Sequence, residues 1–399
     1  MALLLGVFIV LMAPASSQVE EESSLQGTLI QAEESIQRAI DAASPGDILI
    51  VESGVYHGSI NITKTISMIG RDSGAGPPVI DSDSNGSAVI LSAEGIYFEG
   101  FRIINSSRTE EDAGLKLISN KNVLIDNVVA QNNGTGILLS GSQENQIINN
   151  TILENGLHGI SLDPDSSRNN ISANSIKGND GSGIALWNNS DENILQENDL
   201  YSNQVGISLW DGCDRNQLFG NNIRFNAFSG IQIYKSMENM INQNAAMFNN
   251  YSGIAAVSSI NSRITDNNVS RNKYGINLAG ASGDSIAGND AISNQMQGIR
   301  VSDCINISLK KNRLHGNRDA ILIKGSQSID AYSNNVSLNE QGMALQDCRL
   351  CRIDENVALK NGNGLVLALS SQCMISSNKI LHNRLEGLAL GSSHGNLIQ

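Results

Sequence analysis

Asn198-Asp199-Leu200-Tyr201-Ser202-Asn203-Gln204-Val205-Gly206-Ile207-Ser208-Leu209-Trp210 decides the architecture of this chain. Two asparagines stand five residues apart. A glycine follows, then a short strand in which Ile207 and Leu209 alternate with Ser208 and Trp210. The arrangement recurs twelve times, its first asparagine running from Asn127 to Asn378 and its second from Asn132 to Asn383. Successive units are 22 to 24 residues apart, while the internal spacing of five never changes. A fixed period of that size marks a solenoid in which each unit buries its apolar side against its neighbours. Short strands and tight turns in such units fit one coil of a parallel β-helix, with coils about 4.8 Å apart. Stacked asparagines then share hydrogen bonds along the column, and parallel connections of this kind are right-handed. The glycine before each strand is expected to supply a turn conformation that other residues resist.

The fold class predicted is therefore all-β: a right-handed parallel β-helix solenoid with a short N-terminal capping helix. Residues 31 to 43 place Ile36, Ala39, Ile40 and Ala43 on one helical face, and Ser44-Pro45-Gly46-Asp47 ends the helix. Such a helix covers the first open strand edge. Strand-like runs follow at Ile48 to Val51, Ile60 to Ile62, Ser67 to Ile69, Val79-Ile80, Val89 to Leu91 and Ile96 to Ile104. The organisation expected is a signal peptide at 1–17, a linker and capping helix at 18–47, irregular first coils at 48–121 and the regular helix at 122–399. The apolar run Leu3 to Met12 and the small residues Ala15-Ser16-Ser17 carry the signal-peptide reading, which places the mature protein outside the cytoplasm, in the periplasm or at the cell surface. No later segment approaches the roughly 20 apolar residues of a transmembrane helix. Asn396-Leu397-Ile398-Gln399 opens a further coil, so the last coil presents a sheet edge: either the chain associates end to end there or this sequence is one piece of something longer.

A net charge of −14 with 4% aromatic residues argues against a nucleic-acid binder, which needs a basic face. The five cysteines, Cys213, Cys304, Cys348, Cys351 and Cys373, leave at least one unpaired within the chain. Cys351 and Cys373 lie 22 residues apart, above one another on adjacent turns, as a disulfide or as stacked core thiols. The histidines share no column and Met237, Met240 and Met247 read as gap-filling residues, so no metal site and no cofactor are expected. Asn-x-Ser/Thr sequons such as Asn61, Asn105 and Asn250 offer glycosylation sites where the host modifies surface proteins.

Ser35 to Val51, with Gly54-Val55-Tyr56, together with the recurring coils, resembles the NosD-like right-handed β-helix proteins. The resemblance covers essentially the whole chain after the signal segment. It implies a fold shared with pectate lyases and with repeat modules that bind or cleave carbohydrates, and some members of the family are tied to copper-site maturation.

Four positions after the lead glycine, three consecutive coils carry Trp187, Trp210 and Tyr234, preceded one coil earlier by Asp163. Both tryptophans of the chain fall in this column. The interval from lead glycine to the next asparagine is 15 residues after Gly159, Gly183 and Gly206 and 14 elsewhere, which puts an extra loop residue beside the aromatics. Aromatic faces in a row, with Asp163, Asp165, Asp191, Asp211 and Asp214 at the rim, suit a polysaccharide lying along the helix. The same stack also stabilises neighbouring strands without any ligand. The primary reading is a carbohydrate-binding or scaffold module whose site is Trp187, Trp210, Tyr234, Asp163 and Asp211. The first alternative is a polysaccharide lyase, hydrolase or epimerase with Asp163 and Asp165 as its carboxylates and His158 nearby. Asp163-Pro164-Asp165 is similar to the Asp-Pro-His-Asp signature of alginate epimerases but lacks the histidine between the acids. The second alternative is an accessory protein for copper-enzyme maturation.

Overall fold

The computed structural model describes residues 27–399; the stretch read as a signal peptide, 1–17, and the start of the linker lie outside them. The chain winds as a right-handed parallel β-helix of about 16 turns. One coil shows the plan: Gln217–Phe219 on the first face, Asn222–Arg224 on the second and Ile231–Tyr234 on the third. Each pairs in parallel with its equivalent one coil on, Leu218 with Ile241, Ile223 with Ala246 and Ile233 with Ala256. The first face is a 17-stranded sheet and the third a 15-stranded sheet. The second breaks into runs of nine and five strands where the pairing thins to isolated bridges at Asn268.

Period-two alternation sends Ile207, Leu209, Ile231 and Ile233 into the interior, where none retains accessible surface. Full burial of such a side chain is worth about 1.5–3 kcal/mol. The corners are sharp. Glu192, Glu197 and Ser202 sit in the left-handed region (φ 58, 54 and 57), and each is followed by a ladder asparagine. Almost every ladder asparagine Oδ1 accepts both the backbone N–H and the amide of the asparagine one coil earlier, as at Asn150, which takes Asn127 N and Nδ2 at 3.0 Å each, while Asn294 takes only the Asn272 N–H. The second column repeats the pattern, Asn132 to Asn155 at 3.1 and 3.0 Å.

A third asparagine column stands five residues before the first. Asn122, Asn145, Asn169 and Asn193 pass the same bonds from coil to coil, starting with Asn122 to Asn145 at 2.9 Å, and Asn216 passes only its N–H to Asn239. This column then changes chemistry through Ser262 and Asp284, and becomes apolar at Ile307 and Ile329. Between Asn122 and Asn361 no ladder asparagine is more than 3% exposed. Their burial is tolerated because their amides are paired along the column.

Three expectations are corrected. The lead glycines do not adopt positive φ. They are required because a Cβ on Gly206 would come within 2.3 Å of Ile223 Cγ2 and 2.5 Å of the Gly230 carbonyl, so the reason is close packing, not turn geometry. The run Ile96 to Ile104 is two strands, Tyr97–Glu99 and Arg102–Ile104, divided at Gly100 (φ 80). The helix is shorter than 31–43, covering Ile36–Ala42, with Ser35 capping its start and buried Ile36 and Ile40 facing the core. Lys64 Nζ closes its other end, donating to the carbonyls of Ile40, Asp41 and Ala43 at 2.7–3.1 Å. All five cysteines are free thiols buried to 2% or less. Cys351 reaches both Cys348 and Cys373, and its own thiol is pushed up by the two neighbouring sulfurs and by burial.

Candidate functional site

Register on the third face builds the aromatic row. Trp187 pairs with Trp210, and Trp210 with Tyr234. The indole centroids are 6.0 Å apart and 17° from parallel, and Tyr234 follows at 5.0 Å and 47°. His158, which directly precedes Gly159 at the other end of its strand, places its ring 5.9 Å from that of Trp187. The extra residue in these coils falls in the turn just past the ring: Asn188 and Asn189 are both left-handed after Trp187, as are Asp211 and Gly212 after Trp210, whereas Lys235 alone turns the chain beside Tyr234.

A second wall stands at the other end of the same strands. Phe228, Tyr251 and Tyr274 follow one another on successive coils, joined by N–H to carbonyl bonds of 2.9 Å, and the rings of Tyr251 and Tyr274 meet edge to face at 5.2 Å. Between the walls runs a floor of small and polar outward residues, Ser161, Ala185, Ser208, Gln232, Ala255 and Asn277, each paired with the next. Trp187, Trp210, Phe228 and Tyr251 enclose a groove of about 580 Å³ over this floor. Asn277 Oδ1, buried at one end of the groove, has no protein hydrogen-bond partner.

At its other end the groove meets a cleft of about 390 Å³, lined by Glu110, His158, Ser161, Asp163 and Trp187 among others. His158 and Trp187 line both spaces. Asp163 is half-buried, and burial raises its carboxyl above the usual range. Ser161 Oγ donates to it at 3.0 Å, Lys116 draws its pKa down, and Glu110 pushes it up. Burial pushes His158 below its ordinary value. Its Nδ1 accepts the Ser182 N–H at 3.0 Å, so the neutral ring carries its hydrogen on Nε2.

The sequence candidates separate. Trp187, Trp210 and Tyr234 form one row, and Asp163 sits one coil before it in the cleft. Asp165, only two residues on, is an exposed left-handed turn residue (φ 64) and lines neither space. Asp211 is exposed beside Lys235 at 3.7 Å, and Asp191 is tied to Arg215 at 3.1 Å. Glu110 reaches the cleft from an irregular loop with no periodic signal. Phe228 and Tyr251 do carry one, since each stands two residues before a lead glycine.

The catalytic unit of the GH87 α-1,3-glucanase of Streptomyces thermodiastaticus strain HF3-3 superposes with a TM-score of 0.56 at 12% identity, over 93% of this chain and 69% of that one. The pre-mature gene product 12 of bacteriophage phi29 gives 0.51 at 15%, over 89% and 54%. The A-module of the Azotobacter vinelandii mannuronan C-5 epimerase AlgE6 gives 0.40 at 15%, over 91% and 94%. At these identities the first two show a shared fold. No match to a functionally curated protein was found. The family profile described as "Periplasmic copper-binding protein (NosD)" matches residues 48–228, 215–297 and 280–399.

Copper favours imidazole and sulfur ligands. Among the described residues, His57, Asp81 and Asp83 are the one group of three His, Cys, Asp or Glu donors lying mutually within 4.8 Å. It is largely exposed and offers a single imidazole, already 3.0 Å from Asp83. Cys348, Cys351 and Cys373 are buried and do not converge as a trio. Met240 and Met247 belong to strands on different faces. This donor set does not fit a copper centre. The three matched segments together run from residue 48 to the last residue, across every regular coil, and the chain belongs to the NosD family of β-helix repeat proteins.

Proposed function

We propose that this protein works outside the cytoplasm as a binder of an extended polysaccharide, held along the groove of the third face. The observation that carries the reading is the pair of facing aromatic walls, Trp187 and Trp210 against Phe228 and Tyr251, over a floor of hydroxyl and amide groups. Rings pack on the apolar faces of sugars while the floor serves their hydroxyls. The acceptor of Asn277, without a protein partner, supports a polar ligand at that end. The solved α-1,3-glucanase neighbour acts on a polysaccharide with the same fold, and the family description is periplasmic, in keeping with a signal peptide at 1–17.

The test is a fluorescence titration with neutral and acidic polysaccharides, since both tryptophans lie in the groove. Saturable quenching or enhancement is expected for at least one polymer. Trp187→Ala with Trp210→Ala weakens that affinity, followed by calorimetry because the fluorophores are gone, and so does Phe228→Ala with Tyr251→Ala. Unchanged affinity in both double variants refutes the groove. A flat response across the panel leaves a structural surface protein as the better account.

A further inference from the structure

The 390 Å³ cleft is more than the end of the groove. It gathers the half-buried Asp163, Glu110 and His158, and Trp187 forms part of its wall. A chain stacked on Trp187 continues into this cleft because the two spaces share that ring and His158. Hydrolysis of a glycosidic bond needs two carboxyl groups of unequal acidity on opposite sides of the bond, one protonated and one charged. The two here have unequal surroundings. Asp163 is desolvated, with the Ser161 hydroxyl on one oxygen, whereas Glu110 stands exposed in the loop after Arg102–Ile104.

We propose that this cleft hydrolyses the polysaccharide held in the groove, with Asp163 as general acid and Glu110 as general base. The proposal rests on the binding reading above. Asp163 gives its proton to the glycosidic oxygen as the bond from that oxygen to the anomeric carbon breaks. A water oxygen attacks the anomeric carbon from the other side, and Glu110 takes the proton the water loses. One water is consumed, one new reducing end and one new hydroxyl appear, and proton exchange with solvent resets both carboxyl groups. Burial and the nearby charge of Glu110 favour the proton on Asp163. His158, kept neutral by burial, donates Nε2–H to a sugar hydroxyl beside the scissile bond. Asp165 takes no part.

The test uses the whole chain and the polymer that saturates the fluorescence titration. Long incubations are assayed for new reducing ends and for shortening by size-exclusion chromatography. Cleavage is expected with wild type and with Asp165→Asn, while Asp163→Asn and Glu110→Gln each lose about 100-fold or more. Melting curves establish that both variants are folded. Saturable binding without new ends overturns the hydrolysis proposal and leaves the binding reading intact. Cleavage that survives Asp163→Asn, or products with unsaturated ends in place of hydrated ones, overturns the assigned roles. A flat titration removes both readings together.

Discussion

Asn221→Ala tests whether the ladders hold the coils together. Asn221 is 1% exposed and its side chain makes four hydrogen bonds. Oδ1 accepts Asn198 N at 3.1 Å and Asn198 Nδ2 at 3.0 Å, while Nδ2 donates to Leu195 O at 2.8 Å and to Asn244 Oδ1 at 2.9 Å. Alanine removes all four. Asn198 Nδ2 keeps a bond to Ile171 O, and Asn244 Oδ1 keeps the Asn221 N–H. The Asn198 backbone N–H keeps nothing. An orphaned buried donor costs about 1–3 kcal/mol, and each of the three remaining lost bonds about 0.5–1.5 kcal/mol net, so the expected loss is about 2.5–7.5 kcal/mol. A long solenoid does not unfold as one unit, so the assay is native-state hydrogen exchange read on peptides covering 193–203 and 216–226. At 1.4 kcal/mol per factor of ten, exchange there should quicken by about 10²–10⁵. The control is Asn222→Ala, next in sequence but exposed, with a single amide bond to Asp199 at 2.8 Å. That change should stay within about 0.5 kcal/mol. Exchange unaltered by Asn221→Ala, or altered equally by both substitutions, refutes the ladder as a source of stability.

Gly206→Ala forces a Cβ to 2.3 Å from Ile223 Cγ2 and should cost about 1–3 kcal/mol, whereas Gly387→Ala meets nothing closer than 3.5 Å and should melt close to wild type; equal melting temperatures would refute the close-packing role. Asp284 replaces a ladder asparagine in the buried interior, accepting Ser262 N–H at 2.8 Å and the Ser259 hydroxyl, and burial raises its carboxyl. A carboxyl raised in the folded state contributes stability that is complete below the unfolded value and lost as pH climbs through the folded one. Asp284→Asn should therefore melt progressively above wild type as pH rises from acid to neutral, and a difference independent of pH would refute this. Cys213 is fully buried with its thiol pushed up to about 12 by burial, so it should resist alkylation in the native protein at pH 7–9 and react only on unfolding, as peptide mapping would reveal.

The fold was legible because the asparagines sit at corners whose spacing the strands hold constant. The third column is harder to see, since after Asn239 it passes through Ser262 and Asp284 to Ile307, and identity fades although the position persists. The period locates each lead glycine, but its reason, the carbonyl of the next coil a few ångströms away, exists only once coils are stacked. The tryptophans announced one wall of the groove. Phe228, Tyr251 and Tyr274 belong to the other, and their column blurs because Tyr274 directly precedes its glycine while the other two stand one residue further off. Glu110 had no signal of its own. It comes from a loop 53 residues before Asp163, outside the repeat, and only the winding of the chain places it in the same cleft.

The shortness of the two walls has a consequence for how a long guest is held. A surface with perfect translational symmetry offers a polymer the same berth at every coil, so nothing defines where along the shaft it stops. Rings confined to the coils from Trp187 to Tyr274 break that degeneracy. Under the proposed binding role, such a guest would be held in one phase, with a fixed unit opposite His158, and the uniform coils beyond would serve as the rod that keeps that phase from drifting.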